Sequence, residues 1–240
     1  MLTKTISSLQ HPSILRWVEL VKNRASREEN GSVVVCGEKL VRELSARLPL
    51  KCFITTEEKV ILPAEEKVLV TEGMLKKITG LQNPDGYAAE ILLPPPQDLS
   101  SCRKLLILDR ISDPGNLGTL LRSAYALGWE GVVATPGSVD FFNDKALRAA
   151  KGATFYLPYA WASPEEIASW GHALFIADIQ GDPIAKHRFQ TPLALILGNE
   201  AKGPSCWKKG TKIHIPMRKG AESLNVAAAG AILLYAMGQQ

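Results

Sequence analysis

Two periodicities alternate along this chain. From about Ser13 to Arg24 apolar side chains fall at helical spacing, Val33-Val34-Val35 is a β-branched run that reads as a strand, and Leu40, Val41, Leu44 and Leu48 share one helical side. Shorter strand-like pieces follow at Cys52 to Thr55, Val68 to Val70 and Tyr87 to Leu92, with a helix near Met74 to Ile78 before the last of them. Together they describe a small α/β sandwich. The tract Leu93-Pro94-Pro95-Pro96-Gln97-Asp98-Leu99-Ser100-Ser101 then interrupts all periodicity, because consecutive prolines remove backbone donors and hold the chain extended. A domain boundary is expected there.

Beyond the prolines the alternation sharpens. Leu105-Leu106-Ile107-Leu108 reads as a buried strand, and Leu117, Leu120, Leu121 and Ala124 follow at helical spacing up to about Gly128. The pattern continues with Val132-Val133-Ala134, a helix around Asp144 to Lys151, a helix opened by Ser163-Pro164, apolar runs at Ala173 to Ala177 and Leu193 to Leu197, and a terminal helix from about Asn225 to Met237. Strands alternating with helices imply an α/β fold with a mostly parallel sheet and helices on both faces. No internal repeat and no low-complexity tract is present.

Composition changes this picture little. The 240 residues are 46% hydrophobic and 22% charged, which suits one large or two modest globular domains and argues against disorder. No apolar run reaches the roughly 18 to 20 residues that cross a bilayer, and Met1 to Leu9 lacks the pattern of a secretory leader, so a cytoplasmic protein is expected. Cys36, Cys52, Cys102 and Cys206 have no paired spacing, and His11, His172, His187 and His214 are equally scattered, so neither a disulfide framework nor a metal site is expected. The net charge of +4 falls short of a nonspecific nucleic-acid coat, yet a local basic face remains free to neutralise phosphates.

Candidate chemistry sits in three short segments, each placed where a strand-like run gives way to a loop or helix. The first is Asp113-Pro114-Gly115-Asn116-Leu117-Gly118, running on to Arg122. Alone it is also what an ordinary turn needs, with proline fixing φ and Asn116 capping the next helix. Arg122 lies among apolar neighbours and calls for an anionic partner, a carboxylate or an RNA phosphate. The second is Leu197-Gly198-Asn199-Glu200-Ala201-Lys202-Gly203-Pro204, where glycine lets a ligand approach the backbone and Glu200 can cap a helix, face solvent or hold a catalytic arginine. The third runs from Ile215-Pro216-Met217, an apolar edge suited to an adenine face, to Ser223-Leu224-Asn225-Val226, where Ser223 is also a ready N-cap. In an α/β protein, ligands collect beyond the carboxyl ends of the strands, so the three turns could face one pocket.

Taken jointly and in this order, the three segments resemble the signature motifs of the SpoU-type RNA ribose 2′-O-methyltransferases of the SPOUT superfamily, over essentially all of residues 104–240. The opening Ile6-Ser7-Ser8-Leu9-Gln10-His11-Pro12 and the later Val35-Cys36-Gly37-Glu38-Lys39-Leu40-Val41 look like the substrate-binding domain of many members, which is similar to the L30e and L7Ae folds. The resemblance implies an RNA substrate-binding domain over 1–96, a linker over 97–103 and a methyltransferase domain over 104–240. It also implies a trefoil knot in that domain, bound S-adenosylmethionine, and a homodimer whose interface completes the site. Gly198, Ile215 and Leu224 would line the cofactor with Met217 close by, and Asn116, Arg122, Glu200, Ser223 and Asn225 would form the polar catalytic set.

Where members usually carry glycine two residues after the methionine, this chain has Lys219, followed by Gly220; Lys219 becomes a candidate RNA contact. In the first domain Lys39 and Arg42, with Arg24 and Arg27, are candidate phosphate contacts. The expected activity is methylation of a ribose 2′-hydroxyl in RNA, with rRNA favoured over tRNA because a small L30e-like domain suits structured ribosomal RNA. A tRNA methyltransferase and a catalytically idle RNA-binding module are the alternatives, and the intact polar set argues against the latter. No GxGxxG opens the first strand-helix unit of either domain, which sets aside a nucleotide-dependent oxidoreductase.

Overall fold

The computed structural model describes residues 2–220 and 222–239. The chain divides between Pro94 and Pro95 into two compact units, with Phe142–Arg148 grouped with the first.

The first unit is built on a five-stranded mixed sheet of β1 (Leu2–Thr5), β2 (Ser32–Cys36), β3 (Leu50–Thr55), β4 (Ala64–Leu69) and β5 (Tyr87–Leu92), in the order β1-β4-β3-β5-β2. The pairs β1–β4 and β3–β4 are parallel, whereas β3–β5 and β2–β5 are antiparallel. Helix α1 (Pro12–Lys22) packs Ile14, Trp17 and Leu20 into a core with Ile54, Val68 and the Ile78 of α4 (Glu72–Thr79). His11, sequence-adjacent to Pro12, caps α1 by accepting the Ser13 N–H on Nδ1 at 3.2 Å. Glu90 of β5, only 1% exposed, accepts hydrogen bonds from Arg16, Trp17 and Ser32 and pairs with Lys51. Burial works against its charge, yet these donors hold its carboxyl down at about 2.

The second unit is a six-stranded parallel sheet in the order β11-β9-β10-β6-β7-β8, from β6 (Lys104–Asp109), β7 (Gly131–Ala134), β8 (Tyr159–Trp161), β9 (Ala173–Pro183), β10 (Leu193–Gly198) and β11 (Thr211–His214). Central strands of a parallel sheet are covered on both faces, which is why β6 and β10 read as continuous apolar runs. Leu105 through Leu108 and Ala194 through Leu197 are accordingly buried. Leu99, just before β6, lies in the same core as Leu105, Val133 and Ile196. The strand order runs outward from β6 through β7 to β8 and then resumes on the other side of β6, so the sheet has a topological switch point between β6 and β10. No helix among the described residues is long and apolar enough to cross a membrane.

Six elements among the described residues go beyond the sequence-based expectation: β1, β8, β11, α2 (Arg24–Asn30), α7 (Ala153–Tyr156) and a short 3-10 helix at Ile184–Lys186. Strand β1 is exposed along its whole length, and β11 buries Ile213 alone, so neither carries a hydrophobic signal. Arg27 of α2, expected to contact phosphate, is instead buried, and its guanidinium donates to the carbonyls of Leu20 and Val21.

Candidate active site

The site begins with strand register. Parallel pairing sets Gly198 at the end of β10 level with Asp109 at the end of β6, so the loops that follow leave the sheet side by side. Helix α5 (Pro114–Ala126) starts after the first loop, and its N-cap is Asp113, whose Oδ1 accepts the Asn116 N–H at 2.7 Å. Asn116 is therefore not the cap of that helix, and its side chain is free to reach elsewhere. Helix α9 (Val226–Gly238) is capped by Asn225, not Ser223; the Asn225 Oδ1 accepts the N–H groups of Ala227 and Ala228.

These two asparagines and Glu200 form one chain of hydrogen bonds. Asn225 Nδ2 donates to Asn116 Oδ1 at 3.0 Å, and Asn116 Nδ2 donates to Glu200 Oε1 at 3.1 Å. Glu200 Oε2 accepts the Ser112 hydroxyl at 2.9 Å, and backbone N–H groups of Ser112 and Asp113 approach the same carboxylate at 3.3 Å. Partial burial disfavours the Glu200 charge, but the donors from Asn116 and Ser112 outweigh it and hold the carboxyl below its ordinary range. Glu200 thus serves the asparagine chain, and within this chain it makes no pair with Arg122, one of the three roles open to it.

The loop after β10 is fastened by two further contacts. Asn199 Nδ2 donates to the Arg110 carbonyl at 2.8 Å, while its Oδ1 accepts the N–H groups of Ala201 and Lys202. Asp109, fully buried, accepts the Ser205 N–H and the Trp207 indole N–H on Oδ2, and Thr135 and Arg110 on Oδ1. Burial opposes ionisation here too, and the Ser205 and Trp207 donors bring its carboxyl below the usual range. Gly198 sits so close to the returning loop that a Cβ would lie 2.1 Å from the Pro204 nitrogen. Gly230 plays the matching part on α9, where a Cβ would meet Leu120 of α5 at 2.3 Å and Leu197 of β10 at 2.7 Å.

Between these loops lies a pocket of about 420 Å³, within the size range of small-molecule sites. Leu197, Ile213, Ile215 and Leu233 give it apolar walls, and Gly198 and Gly203 leave backbone exposed along it. Gly198, Ile215, Met217 and Leu224 all line it, as do Glu200, Ser223 and Asn225. Apolar walls with main-chain donors and acceptors suit an adenine ring and a thioether chain, so the residues present fit S-adenosylmethionine.

Asn116 joins the site through Glu200 and Asn225 without lining the pocket, and four expected residues stand apart. Arg122 is exposed on α5, does not line the pocket, and makes no hydrogen bond or ion pair among the described residues. Six residues separate it from Asn116, which sets the two about 120° apart around the helix. Lys219 is exposed, and the left-handed turn that requires glycine falls one residue later, at Gly220 with φ +93°. In the first unit Lys39 is exposed, whereas Arg42 is held by Glu38 at 2.8 Å and by the Tyr87 hydroxyl at 2.7 Å.

Sequence reasoning missed Ser112 and Asp109, and on the far side of the pocket Asp178 and His214. A carboxylate closing an unbroken apolar run was the available signal for Asp109. For Asp178 there was little, because β9 continues through a bulge. Ile176 pairs with Lys212 and Asp182 with Ile213, so the five residues Ala177–Gly181 oppose none on β11.

The SpoU rRNA Methylase family model matches residues 103–235. Over 245 residues the chain is 30% identical to the 23S rRNA (guanosine(2553)-2′-O)-methyltransferase RlmP of Bacillus subtilis, covering 97% of this chain and 98% of that protein. The crystal structure of an AdoMet-bound rRNA methyltransferase from Sinorhizobium meliloti superposes with a TM-score of 0.86 at 26% identity, covering 99% of this chain and 98% of that one. The SpoU methyltransferase AviRb from Streptomyces viridochromogenes, solved in complex with AdoMet, matches with a TM-score of 0.83 at 25% identity, over 96% of this chain and 98% of that one. With the family model covering more than half of its length, this chain belongs to the SpoU rRNA methylase family.

Proposed function

We propose that the chain is a cytoplasmic, S-adenosylmethionine-dependent enzyme that methylates a ribose 2′-hydroxyl of rRNA. The observation that carries this reading is the Glu200–Asn116–Asn225 chain, which ties the first segment, through Asn116, to the second and third, whose Glu200 and Asn225 line one pocket. S-adenosylmethionine supplies the electrophilic methyl group. Gly198, Ile215, Met217 and Leu224 hold it, chiefly through backbone groups and apolar contact. Asn116, bonded to both Glu200 and Asn225, and Asn225, whose amide N–H is committed to Asn116, fix the position of the ribose, and Ser223 lies with Asn225 on the pocket wall. Most of the rate comes from this positioning and from exclusion of water.

Arg122 acts as a phosphate clamp and charge stabiliser, since guanidinium stays protonated and is a poor base. Its place on α5 outside the pocket lining supports a role at the site of a second copy. The same face supports a homodimer: Tyr125 of α5 and Ile232 and Tyr235 of α9 are exposed, large and apolar beside it. The reading includes the family's trefoil knot, with the loops that line the pocket as its threaded part. Residues 1–96, joined through 97–103 to the enzyme domain 104–240, supply RNA choice, with Lys39, Arg42 and Lys219 as phosphate contacts.

The test is transfer of labelled methyl from S-adenosylmethionine to total rRNA and, separately, to tRNA from a strain lacking this protein, with nucleoside analysis and Arg122→Ala as control. A 2′-O-methylated nucleoside that appears in rRNA only with the intact protein is the expected result. Transfer to tRNA alone overturns the substrate, and no transfer to either overturns the activity.

A further inference from the structure

We propose that Asp178 reads the ribose hydroxyls of the cofactor's nucleoside, an inference that rests on the pocket being an S-adenosylmethionine site. The pocket runs from Gly198, Glu200 and Asn225 beyond the end of β10 to the bulge of β9 and the end of β11. At that second end its walls are apolar except for Asp178 and His214. A ligand long enough to fill the pocket must satisfy those groups or leave them stranded in a partly dry site.

The carboxylate is built into place. Asp178 is 15% exposed at its side chain, its Oδ1 accepts the Gln180 N–H at 2.9 Å, and its Oδ2 pairs with Lys212 at 2.8 Å. The bulge that carries it is clasped at its end: Gly181 lies so near β11 that a Cβ would sit 2.3 Å from the Lys212 carbonyl carbon, and the Gly181 carbonyl bonds to His214 Nδ1 at 2.9 Å. Nothing larger than glycine allows this approach.

A carboxylate offers about four acceptor positions, and two are taken, so Asp178 keeps acceptor capacity at the pocket wall. Lys212 already balances its charge, and a second cation arriving there would meet that ammonium. Neutral donors are therefore the better match, and the vicinal diol of a nucleoside is the part of the cofactor that brings two. An acidic side chain on a ribose hydroxyl is a recurrent solution where nucleotides lie at strand ends.

The experiment is calorimetric binding of S-adenosylhomocysteine and of its 2′-deoxy and 3′-deoxy analogues to the full chain. Wild type should bind at least one deoxy analogue about tenfold more weakly, the worth of a hydrogen bond to a charged group. Asp178→Asn should cut that discrimination to about threefold or less. Lys212→Met removes the ion pair but keeps the carboxylate, and should retain the discrimination. Equal loss in both variants would mean that the ion pair merely shapes the bulge, and would overturn the proposal. So would a wild-type protein indifferent to both hydroxyls, whatever the variants do. Failure of wild type to bind S-adenosylhomocysteine at all overturns the cofactor reading itself, a result separable from binding without hydroxyl discrimination.

Discussion

Removing the Asp109 carboxylate should release one wall of the pocket while leaving the sheet formed. Its four hydrogen bonds are unequal in what replaces them. Thr135 can reverse its hydroxyl and accept from an amide, and the half-exposed Arg110 can turn to water, whereas the Ser205 N–H and the Trp207 indole N–H can only donate. Asparagine will therefore keep its oxygen toward Ser205 and Trp207. What is lost is the charge on that acceptor and one bond on the other side, about 2 kcal/mol. Alanine strands both obligate donors, each worth about 1–3 kcal/mol, so Asp109→Ala should cost about 4 kcal/mol. Urea unfolding followed by tryptophan fluorescence measures both losses, and titration calorimetry with S-adenosylmethionine measures the consequence. Gly203 and Pro204 immediately precede the anchored Ser205, so the alanine variant should bind cofactor at least about tenfold more weakly. Because the native carboxyl lies below its unfolded value, its stabilisation is complete above about pH 4 and is lost as pH falls through the depressed native value. The gap between wild type and Asp109→Asn should accordingly be flat from neutrality down to that point and narrow below it. An alanine variant destabilised by under about 1 kcal/mol, with unchanged cofactor affinity, would refute the anchoring role.

Four further outcomes are expected. Gly198→Ala drives a Cβ into the Pro204 backbone, which cannot swing aside, so it should cost about 1–3 kcal/mol in urea unfolding and abolish measurable cofactor binding. Glu90, lowered from 4.5 to about 2, contributes about 3 kcal/mol to the first unit; this is present above pH 4.5 and disappears as pH falls toward 2. In Glu90→Gln, amide exchange in β5 should be faster at neutral pH and converge on wild type in acid. Asn116→Ala cuts the link between Glu200 and Asn225, and should lower kcat about 10–100-fold while cofactor affinity stays within threefold; a change confined to affinity would place Asn116 in cofactor binding instead. Mixed dimers of Arg122→Ala and Asn225→Ala chains, each inactive alone, should regain up to about half of the activity per site, since one of two sites is then intact. No recovery would mean that Arg122 serves its own chain's pocket.

Much of the architecture was legible because burial writes itself into residue type. Strands covered on both faces must be apolar throughout, so Leu105–Leu108 and Leu193–Leu197 announced β6 and β10. Helix α8 (Pro164–Ser169) was equally plain at its start, where Ser163 and Glu166 close a capping box. What escaped notice obeys the same physics in reverse. Strands β1 and β11 take their order from backbone pairing at sheet edges, and their side chains are mostly solvated. The bulge in β9 is set by pairing to β11, a long-range contact that no local period records.

The candidate site divides in the same way between residue identity and residue partnership. Gly198, Glu200, Asn116 and Asn225 were recognisable as residues suited to a strand-end crevice, but their pairing depends on which strand ends lie level, and that is decided by the β6–β10 register. Helix capping shows how the roles were exchanged. Asp113 takes the cap that Asn116 was expected to supply, leaving the Asn116 oxygen to accept from Asn225, and Asn225 takes the cap expected of Ser223 with its oxygen, leaving its amide N–H to donate to Asn116. Arg122 belongs to the same sequence motif as Asn116, yet helical geometry turns it about 120° away, and it does not line the pocket. The proposal joins the two through a second copy: Tyr125, Ile232 and Tyr235 are exposed on α5 and α9, and a partner docked there would give the arginine and the asparagines to opposite sides of one interface.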